Sequence, residues 1–263
     1  MNNSPIQRWR NDLDDWAIPQ HILDQAPANP WVHPPAMFKV AADREFELTP
    51  SVRVAVKALG ESGSVLDVGC GGGASSIPLA ANVNAFIGVD EQAAMLVNYA
   101  TAARHVGLDV STYEGLWPAI ADEVPVADVA VCHHVVYNVG DIAPFIRALT
   151  NHARKRVVVE LPGTHPTEPF NPLWKHFWNI DRPEHPSAHD FLTLLGHLGL
   201  SVRSEMSERA PRKPGLDAPD YIAFVRQRLC LPDTRDAEIA EFLATMGPLT
   251  NTQVFTVWWG GTA

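Results

Sequence analysis

Five short apolar runs, rich in β-branched residues, leave this chain few folds to adopt. They are Val65–Val68, Ala85–Val89, Leu108–Tyr113, Val126–Cys132 and Arg156–Leu161. The runs are β-branched and continuous rather than alternating, which suits strands buried on both faces of a parallel sheet. Helical patterns fall between them over Ala74–Ala81, Gln92–His105 and Asp141–Thr150. A further helix precedes the first run: Thr49 is a good N-cap, Pro50 suits the first helical position, and Gly60 ends it. Strands alternating with helices mean an α/β fold with a doubly wound, mostly parallel sheet. Leu200–Met206 and Thr252–Trp259 read as a closing antiparallel pair, which makes seven strands with an antiparallel last one.

Other segments decorate this sheet. Residues 1–48, rich in Trp, Pro and Asp, read as an irregular arm with short helices, Asn11–Trp16 among them. The rest, 49–263, reads as one domain with lid inserts at 162–190 and 207–251. The first insert is too long and too apolar for a simple connector. Helices are expected over Asp190–Leu198, Tyr221–Leu229 and Ala237–Met246. The chain has 263 residues, 46% of them hydrophobic, enough to bury a sizeable core. A net charge of −10 makes nucleic acid a poor default partner, although Arg203–Lys213 could form a local basic patch. Three cysteines without a CxxC pair give neither a disulfide framework nor a zinc motif. The polar N-terminus lacks a signal-peptide core, and no window approaches the roughly 20 apolar residues of a membrane span. These features predict a cytoplasmic protein without membrane contact. Oligomeric state is not legible.

The loop after the first strand narrows the function. Ser64–Ala74 reads SVLDVGCGGGA, with four glycines within five residues. Glycines at a strand-to-helix turn let backbone approach a ligand closely. A nicotinamide dinucleotide fits the spacing, with Gly69-x-Gly71-x-x-Ala74 and an acid, Asp90, about 20 residues on. Asp67 argues otherwise. An acid just before the glycines suits a cationic amino group and sits poorly beside a pyrophosphate. No Tyr-x-x-x-Lys hydride-transfer pair follows: four residues after Tyr137 stands Asp141.

VLDVGCGGG followed by FIGVDEQAAML resembles the class I S-adenosylmethionine-dependent methyltransferases. The resemblance covers Val65–Leu161 and, loosely, the last strand. It implies a seven-stranded sheet in the order 3-2-1-4-5-7-6 and S-adenosylmethionine as cofactor. It further implies that Asp67 helps hold the methionine amino group, with Gly69, Cys70 and Gly71 giving backbone room. Asp90 would accept from the ribose hydroxyls, as a carboxylate can meet a vicinal diol. Glu91 and Met95 would flank the adenine. Where many relatives carry an adenine-reading acid, this chain has Leu116. Main-chain contacts there and stacking on Trp117 are the expected replacements. Asp128 and Cys132-His133-His134 resemble the motif beside the transferred methyl, so His133 also counts as a cofactor contact.

His133 and His134 are the candidate catalytic pair, because a hydroxyl, thiol or acidic carbon acceptor needs a base. An amine acceptor needs only proximity and orientation. Tyr137 and Asn138 could face substrate or pack. Glu160 is read as a substrate contact or a cap. His165, His176, His185 and His189 match no metal-ligand spacing, so no metal is expected. Trp174, Phe177 and Trp178 suggest a lid's inner face or a cage for a cation. Arg226 and Arg228 suit a solvated helix face or an acidic substrate group. The resulting expectation is methyl transfer to a small-molecule acceptor. The alternatives are an NAD(P)-dependent oxidoreductase and a non-catalytic S-adenosylmethionine-binding sensor or scaffold.

Overall fold

The computed structural model describes residues 4–32, 48–210, 218–246 and 252–263. The apolar runs do form strands: β1 (Gly63–Val68), β2 (Val83–Asp90), β3 (Val110–Glu114), β4 (Ala127–His133) and β5 (Ala153–Pro162). With β6 (Arg203–Arg209) and β7 (Thr252–Trp259) they make one seven-stranded sheet in the order β3-β2-β1-β4-β5-β7-β6. The pairs from β3 to β5 are parallel, whereas β7 lies antiparallel to both β5 and β6. Central β1 and β4 are buried almost throughout, while edge strands β3 and β6 alternate or lie open.

Nine helices lie among the described residues: α1 (Pro5–Asp14), α2 (Gln20–Leu23), α3 (Pro50–Leu59), α4 (Ala93–His105), α5 (Ile142–Asn151), α6 (Asn171–Trp178), α7 (Ala188–His197), α8 (Ala218–Arg228) and α9 (Asp236–Thr245). Helices α3 and α4 bury Val52, Ala55, Leu59, Leu96 and Tyr99 on one face. Helices α1, α5 and α7 pack Trp9, Phe145, Ile146 and Phe191 on the other. A smaller apolar cluster joins Ile18 and Ile22 to Leu173 and Trp174 of α6, Val225 of α8 and Ile239 of α9.

Several expectations shift. Helix α1 starts earlier than Asn11 because Ser4 caps it, accepting from the Gln7 N–H, with Pro5 following. The expected helix over Ala74–Ala81 is instead a run of turns and a 3₁₀ segment, Ile77–Asn82. Gly73 at φ 91° breaks the helical path, Pro78 brings no N–H, and β2 begins directly at Val83. Strand β6 begins three residues later than expected, because Leu200 and Val202 pack onto the core first. Residues 211–217 and 247–251 of the second insert, with Lys213 of the basic patch, lie outside the described residues, as do 33–47 of the arm.

Gly88 in β2 shows how tightly the sheet face is packed. A Cβ there would meet Cδ1 and Cε1 of Tyr99 at 2.4 Å, and Tyr99 is itself fully buried. Gly88→Ala is expected to lower unfolding free energy by roughly 1–3 kcal/mol, read from urea melts. An unchanged midpoint would show that Tyr99 can move.

Candidate active site

The C-terminal ends of β1, β2, β4 and β5 lie side by side, where open α/β sheets form their ligand crevice. The loop after β1 is shaped by its glycines: Gly69, Gly71 and Gly73 all take positive φ, at 71°, 51° and 91°. Gly69 and Cys70 donate their N–H groups to the Val89 carbonyl at 2.8 and 3.0 Å, fastening the loop to the end of β2. The Gly71 N–H donates to Oδ2 of Asp90 at 2.9 Å, and the Gln92 N–H to its Oδ1 at 3.0 Å. Asp90 therefore holds a fixed orientation, half-buried, with acceptor capacity left on each oxygen.

Asp67 lies beneath the loop with no exposed surface. Its Oδ2 accepts from the Ser75 hydroxyl at 2.5 Å and the Ser76 hydroxyl at 2.7 Å. Ser76 in turn stands 2.9 Å from the Tyr99 hydroxyl. Oδ1 of Asp67 has no hydrogen-bond partner among the described residues. Burial pushes the carboxyl pKa up to about 6, against the two hydroxyls that pull it down, and the Asp90 charge adds to the rise. A buried carboxylate with one orphaned oxygen fits a cationic or N–H-bearing ligand group and would repel a pyrophosphate.

The remaining expected contacts are distributed unevenly. Cys70 contributes main chain only: its thiol is buried, packs in the α3–α4 core, and is pushed well up by burial and the nearby Asp67 and Asp90 charges. Glu91 is exposed, and Met95 is buried in the first turn of α4. Trp117 turns into the core, its indole N–H 3.3 Å from the Phe145 carbonyl, so Leu116, 63% exposed, presents the apolar surface there.

Asp128 is removed from the crevice. It sits at the opposite end of β4, accepting from the Ser64 N–H and hydroxyl and pairing with Lys155 at 3.3 Å. This corrects its expected place beside the methyl. Tyr137 is packed under Trp9 and donates to the Pro162 carbonyl at 2.9 Å, so it faces no substrate. His165 stacks on Trp16 at 4.0 Å, His176 meets Glu238 at 3.0 Å and His185 meets Asp190 at 2.8 Å. Trp174 is buried in the α6–α8 cluster, with Arg182 over its ring, while Arg226 pairs with Asp236 and Arg228 donates to the Pro30 carbonyl. Among the described residues no group of three or more His, Cys, Asp or Glu side chains could hold a metal ion.

His133 and His134 do end β4 beside the loop. His134 takes φ 61°, uncommon for a non-glycine residue, and its N–H donates to the Glu160 carbonyl at 2.7 Å. Its imidazole Nε2 lies 3.2 Å from Oε1 of Glu160, while Nδ1 of His133 is 4.0 Å from the same oxygen. Glu160 is 2% exposed and also receives two bonds from Arg209 of β6, at 2.6 and 2.5 Å, and one from Ser51 of α3 at 2.6 Å. Burial works to raise this carboxyl, but His133, His134 and Arg209 together outweigh it and hold it well below the usual range. Sequence reasoning missed Ser51, Ser75, Ser76 and Arg209. Nothing in a linear pattern ties them to the acids they serve.

Residues 66–159 match the family model described as a methyltransferase domain. That segment is similar to this family. Over 83 residues the chain is 35% identical to a ubiquinone biosynthesis O-methyltransferase of Azorhizobium caulinodans, a match covering 32% of this chain and 33% of that protein. The chain thus spans about a third of the length of this curated relative. Solved structures agree on the fold. The YcgJ protein of Bacillus subtilis aligns at a TM-score of 0.54 with 15% identity, over 81% of this chain and 98% of that one. A SAM-dependent methyltransferase from Methanosarcina mazei aligns at 0.52 with 15% identity, over 82% and 99%. Magnesium protoporphyrin IX methyltransferase from Synechocystis, solved with bound SAH, aligns at 0.50 with 16% identity, over 80% and 78%. No helix among the described residues is long and apolar enough to cross a membrane.

Proposed function

We propose that this protein transfers the methyl group of S-adenosylmethionine to a small-molecule acceptor. The observation that carries this reading is the buried Asp67, with an orphaned oxygen, beneath three positive-φ glycines and within electrostatic reach of the fixed carboxylate of Asp90. S-adenosylmethionine supplies an electrophilic methyl group when bound. Asp67 attracts the cationic amino group, and Gly69, Cys70 and Gly71 offer main chain alongside it. Asp90 accepts from the ribose hydroxyls, while Glu91, Met95 and Leu116 border the adenine. His133 and His134 stand at the end of β4, where an acceptor proton can be received. An O-methylating relative supports an oxygen acceptor. The acidic surface favours a small molecule over nucleic acid. Three buried free thiols favour a reducing compartment such as the cytoplasm.

Thermal melts with S-adenosylmethionine, S-adenosylhomocysteine and NAD test the cofactor. The first two are expected to raise the midpoint by several degrees, as saturating ligand adds about 2.7 kcal/mol at 100 times Kd. Stabilisation by NAD alone would sink the proposal. Incubation with methyl-labelled S-adenosylmethionine and a small-molecule cell extract tests the activity, with label expected in an acceptor. Binding without label transfer in any extract would point to a sensor.

A further inference from the structure

We propose that Glu160 is a positioning residue that donates no proton itself but fixes His134 so that its Nδ1 takes the proton from the methyl acceptor. The inference rests on the methyltransferase reading above. Its geometry comes from three segments of chain that converge on one carboxylate. Oε1 receives Nε2 of His134 and one nitrogen of Arg209, and Oε2 receives the Ser51 hydroxyl and the other nitrogen of Arg209. Arg209 and Ser51 leave Glu160 no freedom to turn. It is an anion at neutral pH and can only accept.

A neutral imidazole beside this carboxylate therefore carries its proton on Nε2, and its lone pair is left on Nδ1. The logic is that of a buried acid orienting a catalytic histidine. Arg209 offsets much of the Glu160 charge, so the effect on His134 is chiefly one of tautomer and aim. Among the described residues, the charged and titratable groups around this contact are Glu160 of β5, Arg209 of β6 and the neighbouring His133 of β4. Unlike Glu160, the His134 side chain is 42% exposed, so a ligand can reach it. The next residue, Val135, packs against Gly69: a Cβ on that glycine would fall 2.3 Å from Cγ2 of Val135. The base is thus one residue from a direct contact with the cofactor loop. In the step itself the acceptor oxygen bonds to the methyl carbon and its proton passes to Nδ1 of His134. The bonding pair of the broken sulfur–methyl bond stays on sulfur.

Nitrogen-15 histidine NMR on the full chain, with Glu160→Gln and an assigning His134→Gln variant, tests this. In the unsubstituted protein neutral His134 is expected as the Nε2–H tautomer, with that proton exchanging at least tenfold more slowly than in Glu160→Gln. Label transfer to extract is expected to fall at least tenfold in Glu160→Gln, with the S-adenosylhomocysteine Kd changed less than threefold. An Nδ1–H tautomer in the unsubstituted protein overturns the proposal, even if the variant fails to fold. So does unchanged exchange or unchanged label transfer in a folded Glu160→Gln protein. If calorimetry shows no S-adenosylhomocysteine binding to the unsubstituted protein, the methyltransferase reading fails instead, and the proton-transfer role falls with it.

Discussion

Asp67→Asn is expected to stabilise the ligand-free protein at pH 8 while weakening S-adenosylmethionine binding at least tenfold. The acid's pKa stands at about 6 in the folded chain, against an ordinary 3.8. For an acid raised in this way, the stabilising protonated form is fully present below the ordinary pKa. That contribution is lost as pH rises through about 6. Above that window the buried charge costs on the order of 3 kcal/mol, since each tenfold change in the ionisation equilibrium is worth about 1.4 kcal/mol. Asparagine keeps an oxygen for Ser75 and Ser76 but removes the charge. Urea melts should show a gain at pH 8 that shrinks towards pH 4, and calorimetry should show the lost affinity. A variant destabilised at pH 8, or one binding S-adenosylmethionine normally, would mean that Asp67 serves only to tie the loop down.

Gly69→Ala should be the most damaging single methyl group at the site. The residue sits at φ 71°, where a side chain costs about 1–2 kcal/mol, and the added carbon would press on Val135 at 2.3 Å. Overpacking of this kind adds typically about 1–3 kcal/mol. The sum, roughly 2–5 kcal/mol, is measurable by chemical denaturation. Adding Val135→Ala should return the packing part and leave the backbone part, a coupling that a double-mutant cycle isolates. Strictly additive losses would show that the two residues do not press on one another.

The sheet was legible because its signals are local. A continuous run such as Val65–Val68 suits a strand buried on both faces, as in a parallel sheet, and the structure places it between β2 and β4, parallel to both. The glycine loop and Asp90 were legible for the same reason: turn chemistry and spacing are written along the chain. Ala74–Ala81 misled because its alanines favour a helix, while Gly73, the serines drawn towards Asp67 and Pro78 oppose one. Asp128 misled because nearness to His133 in sequence means the far end of a strand in space. Trp117 looked like a stacking surface, yet its indole points inward to Phe145. Glu160 could be placed at a strand end but not paired, because side-chain partners across elements leave no periodic trace.

That carboxylate also bears on how the molecule assembles. Its ligands lie 109 residues before it, at Ser51, and 49 after it, at Arg209. A chain that has laid down its central strands but not yet its edge strand would hold an anion stripped of water and lacking its strongest counterpart. Such a half-built state is penalised well beyond its missing apolar contacts. The site therefore acts as a cooperativity latch, favouring chains in which helix α3 and edge strand β6 close onto β5 together.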